Sequence, residues 1–286
     1  MPKRPSILPT ILLASALAAP AAPPPLALVI CAPGYPGTTK EAQPNMDMLA
    51  GALAKTSGLP PARVTAEYYE AEAAGTSRLK APGAAVAMVP LPYFLAHESE
   101  LKLKARAQAV EKDQNATVTW TFVAKKGRAT GPAALAGFEI VSLAAYAPDF
   151  IRNVALAKWG KLPADVKFTA SGQVLSALRR AANGENVAVL LDASQTASLS
   201  TLPFAAELEP VATSAPIPGI LVCTVGAAAS ASEADKLIAG MQKLGQTPEG
   251  TAALDAVRLS KVVPLDAKAL AAARASYRPA AATASK

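Results

Sequence analysis

"LIAGMQKLGQTPEGTAALDAVRLSKVVPLDAKALAAARASY", residues 237–277, decides how the rest of this chain is read. Apolar residues recur at helical spacing, and Pro248-Glu249-Gly250 opens a new helix. Val263-Pro264-Leu265-Asp266 then breaks the pattern before an alanine-rich stretch. Periodicity and breakers predict helices near 231–245, 248–257 and 267–276.

Working back from that end, short β runs alternate with helical stretches. "LALVICA" precedes the loop "GYPGTT" and the helical "NMDMLAGALAKTSG", where Met46, Leu49, Ala50 and Leu53 share a face and Gly58 makes a stop. "RVTAEYYEAE" alternates Val64, Ala66 and Tyr68 like a strand, and "GAAVAMVPL" is a continuous apolar run of the doubly buried kind. A helix over Tyr93–Glu98 is expected next, then a strand in "ATVTWTFVAKKG". A second set follows: "FEIVSL", a helix from about Pro148 to Gly160, "VKFTAS", a helix from about Gln173 to Asn183, and "VAVLLD". "GILVCTVG" is a further strand, and the tail "RPAAATASK" reads as disordered. Alternating β and α elements point to an α/β architecture with parallel sheets, and two sets of similar length to two lobes.

The amino end is of another kind. "MPKRPSILPTILLASALAAPAAPPP" has Lys3 and Arg4, a short apolar run and small residues, the pattern of a secretory signal peptide cut after Ala21 or Ala22. The run is too short and proline-broken to span a bilayer. The expected location is therefore periplasmic. The formal net charge is +7, two of it from Lys3 and Arg4. Bases elsewhere form only short clusters, such as Lys102/Lys104/Arg106 and Arg179/Arg180, without interleaved aromatics. Nucleic-acid binding is not expected. A mild positive field suits an anionic ligand, and equally simple solubility.

Chemical motifs are sparse. A nucleotide loop needs Gly-Lys-Ser/Thr at the helix start, but the order is Gly37-Thr38-Thr39-Lys40. Ile30 before Cys31 is too bulky for a lipid-anchor site. There is no Gly-x-Ser-x-Gly elbow. His97 is the sole histidine, so any Ser–His or Cys–His mechanism must use it, but near a helix end it reads first as a solvated or helix-C-terminal histidine. Cys31 and Cys223 make no zinc motif. No catalytic residue, metal or cofactor is assigned. An exported two-lobed chain of this kind fits solute binding better than turnover.

The order of elements resembles the type 2 periplasmic solute-binding proteins of ABC transporters, in their phosphate/phosphite/phosphonate-binding branch. The closing segment quoted first carries the likeness. "GPAALAGFEIVSL" is similar to that branch's entry to the second lobe, with Leu135, Gly137 and Phe138 in place. "VLSALRRAANGENVAVLLD" is similar to its helix and strand, with Gly184 and Val187 in place and Asn186 for the usual acid. "TSAPIPGILV" resembles its return to the first lobe. The resemblance implies a two-lobed α/β fold, each lobe a mixed, mostly parallel sheet flanked by helices. The first lobe would hold 24–115 and 214–286, the second 116–213, after a signal peptide over 1–22.

It also implies a small solute, phosphonate- or phosphate-like, in the cleft at the carboxyl ends of the strands, an ABC permease in the inner membrane as partner, and a monomer. The candidate ligand-binding residues are Tyr35, Thr38, Thr39, Tyr93, Tyr146, Ser171 and Asp192. Each has a plainer alternative: Thr38 and Thr39 as helix or turn caps, Ser171 as N-cap of the helix after it, Asp192 as a cap rather than an acceptor from an amine. Two departures stand out. Pro148 and Asp149 occupy the helix start where that branch has hydroxyls and free amides, and Gly172-Gln173 stands in place of a histidine. The alternative function is a ligand-free structural or sensory descendant of the same fold. The implied strand order separates Cys31 and Cys223 by one strand, near 9–10 Å, so both thiols are expected free.

Overall fold

A computed structural model describes residues 24–226 and 231–277; the expected signal peptide lies outside them. In chain order the first elements are β1 (Leu26–Cys31), α1 (Thr39–Ser57), β2 (Val64–Tyr69), α2 (Glu72–Lys80), β3 (Ala84–Pro90), α3 (Leu91–Leu101) and β4 (Lys104–Glu111). The second group is β5 (Thr117–Val118), β6 (Thr121–Lys125), β7 (Glu139–Ser142), α4 (Pro148–Phe150), β8 (Lys167–Ala170), α5 (Leu175–Ala182), β9 (Val187–Leu191), α6 (Ala193–Ala197) and β10 (Leu208–Thr213). The chain then returns through β11 (Ile217–Pro218), β12 (Ile220–Thr224), α7 (Ala231–Lys243), α8 (Pro248–Ala256), β13 (Leu259–Pro264) and α9 (Ala267–Ser276).

Two sheets share a five-strand pattern, to which the first adds β13 at its edge, antiparallel to β4. The first runs β2-β1-β3-β12-β4-β13 and the second β8-β7-β9-β6-β10. In each, three parallel strands lie beside one reversed strand, β12 or β6, with a fourth forward strand beyond it. Each reversed strand is where the chain arrives from the other sheet. The two crossings pair as a short antiparallel ribbon, Ile217 opposite Val118 and Pro218 opposite Thr117.

Burial explains these elements. β1 and β3 are buried along their whole length, as their unbroken apolar runs predict, while β2 buries only Val64, Ala66 and Tyr68. On one face of the first sheet, Leu28 and Ile30 pack against Met46, Leu49 and Leu53 of α1, Leu237 and Met241 of α7 and Leu254 of α8. On the other, Val29 and Cys31 belong to a cluster with Tyr93, Phe94 and Leu270. That cluster continues through Trp120, Leu143 and Phe150 to Ile140 and Leu190 of the second sheet. The far face of the second sheet packs Val123, Val141 and Val189 against α5.

Several elements differ from the sequence reading. α1 starts at Thr39 rather than beyond Pro44, because a Thr38–Glu41 capping box satisfies its first turn and Pro44 is carried inside the helix. The helix expected over 148–160 is one α turn followed by a π turn, Ile151–Ala155, closed by Leu156 N–H to the Ile151 carbonyl at 3.0 Å. "ATVTWTFVAKKG" divides into β5 and β6 where Trp120 turns into the core. β4, β10 and β13 lie in stretches not read as strands; in β4, exposed Lys104 disguises a run whose end is buried against β12 and β13. Neither sheet's hydrogen bonding is chiefly parallel, since the reversed strands pair antiparallel on both sides, although most strands in each point one way.

One buried polar side chain joins three segments. The Gln108 Nε2 of β4 donates to the Ala116 carbonyl in the crossing at 2.8 Å, and its Oε1 accepts from Asp266 N–H at 2.5 Å at the start of α9. Ser214 holds the other crossing, accepting from Trp120 N–H at 2.9 Å. Gln108 is fully buried. Gln108→Leu leaves two backbone groups without partners and should lower unfolding free energy by about 1–3 kcal/mol, read by urea denaturation; an unchanged midpoint would show that the crossing is not anchored here.

Candidate functional site

The loops after β1, β7 and β8 meet between the sheets. Gly34 adopts φ +82°, the left-handed region glycine favours, and a Cβ there would lie 3.3 Å from Leu143. Opposite it, a Cβ on Gly172 would overlap the Gly34 carbonyl oxygen. The first-sheet and second-sheet loops are therefore in backbone contact, possible because both positions lack side chains. Tyr35 follows in the same loop, and its hydroxyl is raised well above the usual tyrosine range by burial and by the carboxylates of Asp192 and Glu111. The loop is anchored from behind by the Tyr68 hydroxyl, which donates toward the Tyr35 and Pro36 carbonyls at 3.4 and 3.3 Å.

The candidate residues do not converge as one set of free donors. Thr38 is consumed by the capping box, its Oγ1 donating to Glu41 at 2.8 Å. Thr39 donates from N–H and Oγ1 to one Glu70 oxygen, at 3.0 and 2.9 Å. Tyr93 is wholly buried, its hydroxyl 2.7 Å from Thr76 Oγ1. Ser171 does not cap α5, which has no side-chain cap; its Oγ accepts from Gln173 N–H at 3.1 Å in a tight turn. Asp192 does cap, in a box with Gln195. Burial lifts its carboxyl above the ordinary range against the pull of the Gln195 and Ser194 amides.

Tyr146 is the exception. Its hydroxyl is buried and is the one buried side-chain polar atom without a hydrogen bond among the described residues. Burial first, then Tyr35, the Cys31 thiol, Glu72 and Tyr93, push its ionisation well up. Those four residues belong to the first group of elements, while Tyr146 follows β7 of the second sheet. A buried, unpaired hydroxyl is costly unless something bonds it.

Residues outside the candidate ligand-binding set complete the surroundings. α2 comes so close to β1 that a Cβ on Gly75 would overlap Cys31 Sγ. The Cys31 thiol interacts with the Tyr93 hydroxyl, and burial pushes it up to about 12. Cys223 is raised further, also by burial, and both cysteines are free, with β3 lying between β1 and β12. His97 stacks on Tyr93 with centroids 4.4 Å apart, its Nε2 2.8 Å from Glu72 and its Nδ1 3.0 Å from Glu100. Both ring nitrogens meet carboxylates; of the two plain readings, a solvated or a helix-C-terminal histidine, the position toward the end of α3 fits the second. Glu70, Glu72, Thr76 and Glu111 follow strands or begin helices in ways that ordinary surface residues also do, so no sequence signal distinguished them. Among the described residues no cluster of histidine, cysteine or acidic side chains could hold a metal ion, and no helix is long and apolar enough to cross a membrane.

The model of the ABC transporter phosphonate periplasmic substrate-binding proteins matches residues 37–270. The chain belongs to that family. It is a solute-binding component of an importer, and membership implies export, a small-molecule ligand and membrane permease partners. Solved structures similar to this solute-binding protein share the two-lobed fold at low identity. XAC2383 from Xanthomonas citri, bound to chloride ion, is 13% identical, with TM-score 0.68 over 88% of this chain and 97% of that one. A binding-protein component of an ABC phosphonate transporter from Pseudomonas aeruginosa is 15% identical, with TM-score 0.60 over 87% and 85%. PhnD1 from Prochlorococcus marinus, in complex with methylphosphonate, is 11% identical, with TM-score 0.58 over 85% and 94%. No protein with curated function matches by sequence.

Two outcomes follow for this solute-binding protein. Gly172→Ala should force the facing loops apart, raising the radius of gyration in small-angle X-ray scattering; an unchanged profile would show that the contact yields locally. Cys31, Cys223, Tyr68 and Tyr93 all ionise at higher pH folded than unfolded, so the folded state retains protons that the unfolded chain loses. Stability should therefore be fully present below pH about 9 and fall progressively above it. Native iodoacetamide labelling at pH 8 should be slow at both thiols and fast in urea.

Proposed function

We propose that this protein grips a small solute between its two sheets and delivers it to an inner-membrane ABC permease, acting in the periplasm as a monomer without enzymatic activity. The lobes correspond to 24–115 with 214–286, and to 116–213, and residues 1–22 are the signal peptide that exports it. The observation that carries the reading is the buried, unpaired Tyr146 hydroxyl facing Tyr35 and Tyr93. It supplies a hydrogen-bonding group where the loops close, and hinge opening at the β5–β11 ribbon would admit the solute. Tyr35 and Tyr146 are the solute contacts in this reading; Thr38, Thr39, Ser171 and Asp192 shape the loops that hold them. Family membership makes phosphonate and phosphate the first solutes to test.

A second reading is favoured by a specific observation. The hydroxyls of Thr38, Thr39, Tyr93 and Ser171 are all bonded within the protein, and Glu72 is the nearby charge. That arrangement suits a descendant that keeps the fold and has lost the ligand. Methylphosphonate, phosphate and sulfate separate the two. A bound solute at ~100 times its dissociation constant should add about 2.7 kcal/mol to stability, visible as a thermal shift. Tyr146→Phe should then weaken binding about tenfold. No shift with any of these, or with neutral and amine solutes, would favour the ligand-free reading.

A further inference from the structure

A pocket of about 310 Å³ opens at the carboxyl edge of the first sheet, on the α1 and α8 face. This is the opposite face from Cys31, Tyr93 and Tyr146, and no residue of 116–213 lines it. Its floor is Ile30, Met46 and Met88, with Ile220 and Leu259 at the sides. The volume lies at the low end of the ~300–1,000 Å³ range of small-molecule sites, and apolar walls with few polar groups are their usual lining.

Besides the phenols of Tyr35 and Tyr68, four charged or amide side chains belong to this lining. Two are already engaged: Glu41 with Thr38, and the Asn45 amide with the Ala256 carbonyl at 3.1 Å. Among the described residues, the side chains of the other two, Glu111 and Arg258, form no hydrogen bond or ion pair. Glu111 ends β4 and Arg258 immediately precedes its partner β13, since Glu111 is in register with Leu259 and Lys112 N–H donates to the Arg258 carbonyl at 3.0 Å. Burial and then the Asp192 carboxylate raise Glu111 above the ordinary carboxylate range, and Arg258, with which it closes no salt bridge, pulls it back down. Arg258 also has φ +59° just past the end of α8, where glycine is the low-cost residue. Arg258 nevertheless belongs to the pocket lining, and it is exposed.

We propose that this pocket binds a zwitterionic α-amino acid with an apolar side chain. The ammonium would lie against Glu111, the carboxylate against Arg258, and the side chain among Met46, Met88 and Ile220. A carboxylate and a guanidinium at the paired ends of adjacent strands, unpaired among the described residues and flanking an apolar cavity, match the two charges and the apolar body of such a ligand. The site shares the Tyr35 loop with the interlobe contact but takes none of its lining from 116–213.

Isothermal titration with L-leucine, isoamylamine and 4-methylpentanoate tests this. Leucine should bind, and each analogue, lacking one charge, should bind about ten- to hundredfold more weakly. Glu111→Gln should weaken leucine and isoamylamine but spare 4-methylpentanoate, and Arg258→Gln should do the reverse. Arg258 is exposed, so its variant serves even if Glu111→Gln perturbs folding, which thermal unfolding will report. Absence of leucine binding, equal binding of an analogue, or leucine binding unaffected by either variant would overturn the proposal.

Discussion

Each sheet is completed by a strand that the other half of the chain sends across. β12 sits between β3 and β4, and β6 between β9 and β10, so neither sheet has its central ladder without the return journey. Much else follows from this constraint. The two crossings must run side by side and antiparallel, and they do so at β5 and β11. Gln108 and Ser214 bond the backbone at those crossings because it leaves one sheet before it joins the next. The parallel strands then present their carboxyl ends to each other across the gap, where the loops with Gly34 and Gly172 meet.

Much of this was legible in the sequence, for identifiable reasons. Buried strands such as β1 and β3 are long apolar runs, and the closing helices announce themselves through Pro248, Gly250 and Asp266. What escaped notice were strands whose identity depends on their neighbours. β4 is half exposed by sequence pattern and half buried by β12 and β13, and β10 is an edge strand with little buried side chain. The irregular helix after Ala147 also escaped, because a π turn keeps the composition of a helix and alters only its bonding.

The site was less legible than the fold. Tyr146 was identified as a cleft residue, and it is the side chain whose hydroxyl lacks a partner. The short hydroxyls were identified by position too, but a threonine or serine at a strand end bonds a nearby amide or carboxylate as readily as a ligand. Thr38, Thr39 and Ser171 do so. Sequence specifies the donor and leaves the choice of acceptor to packing. The Glu111–Arg258 pair was invisible for a related reason: the two residues are far apart in the chain and become neighbours only through the β4–β13 register.

The antiparallel ribbon at the crossings has a mechanical consequence. A single peptide link between two bodies lets them twist, slide and tilt with little restraint. Two links bonded edge to edge behave as a leaf spring: compliant to bending across their plane, stiff to stretch and to relative sliding. With only Ile217–Val118 and Pro218–Thr117 forming that ribbon, the spring is short and its bending axis narrowly localised. Were the two sheets to part around a solute, that ribbon would favour opening like a book, so that the geometry presented to a transport partner would vary along essentially one coordinate.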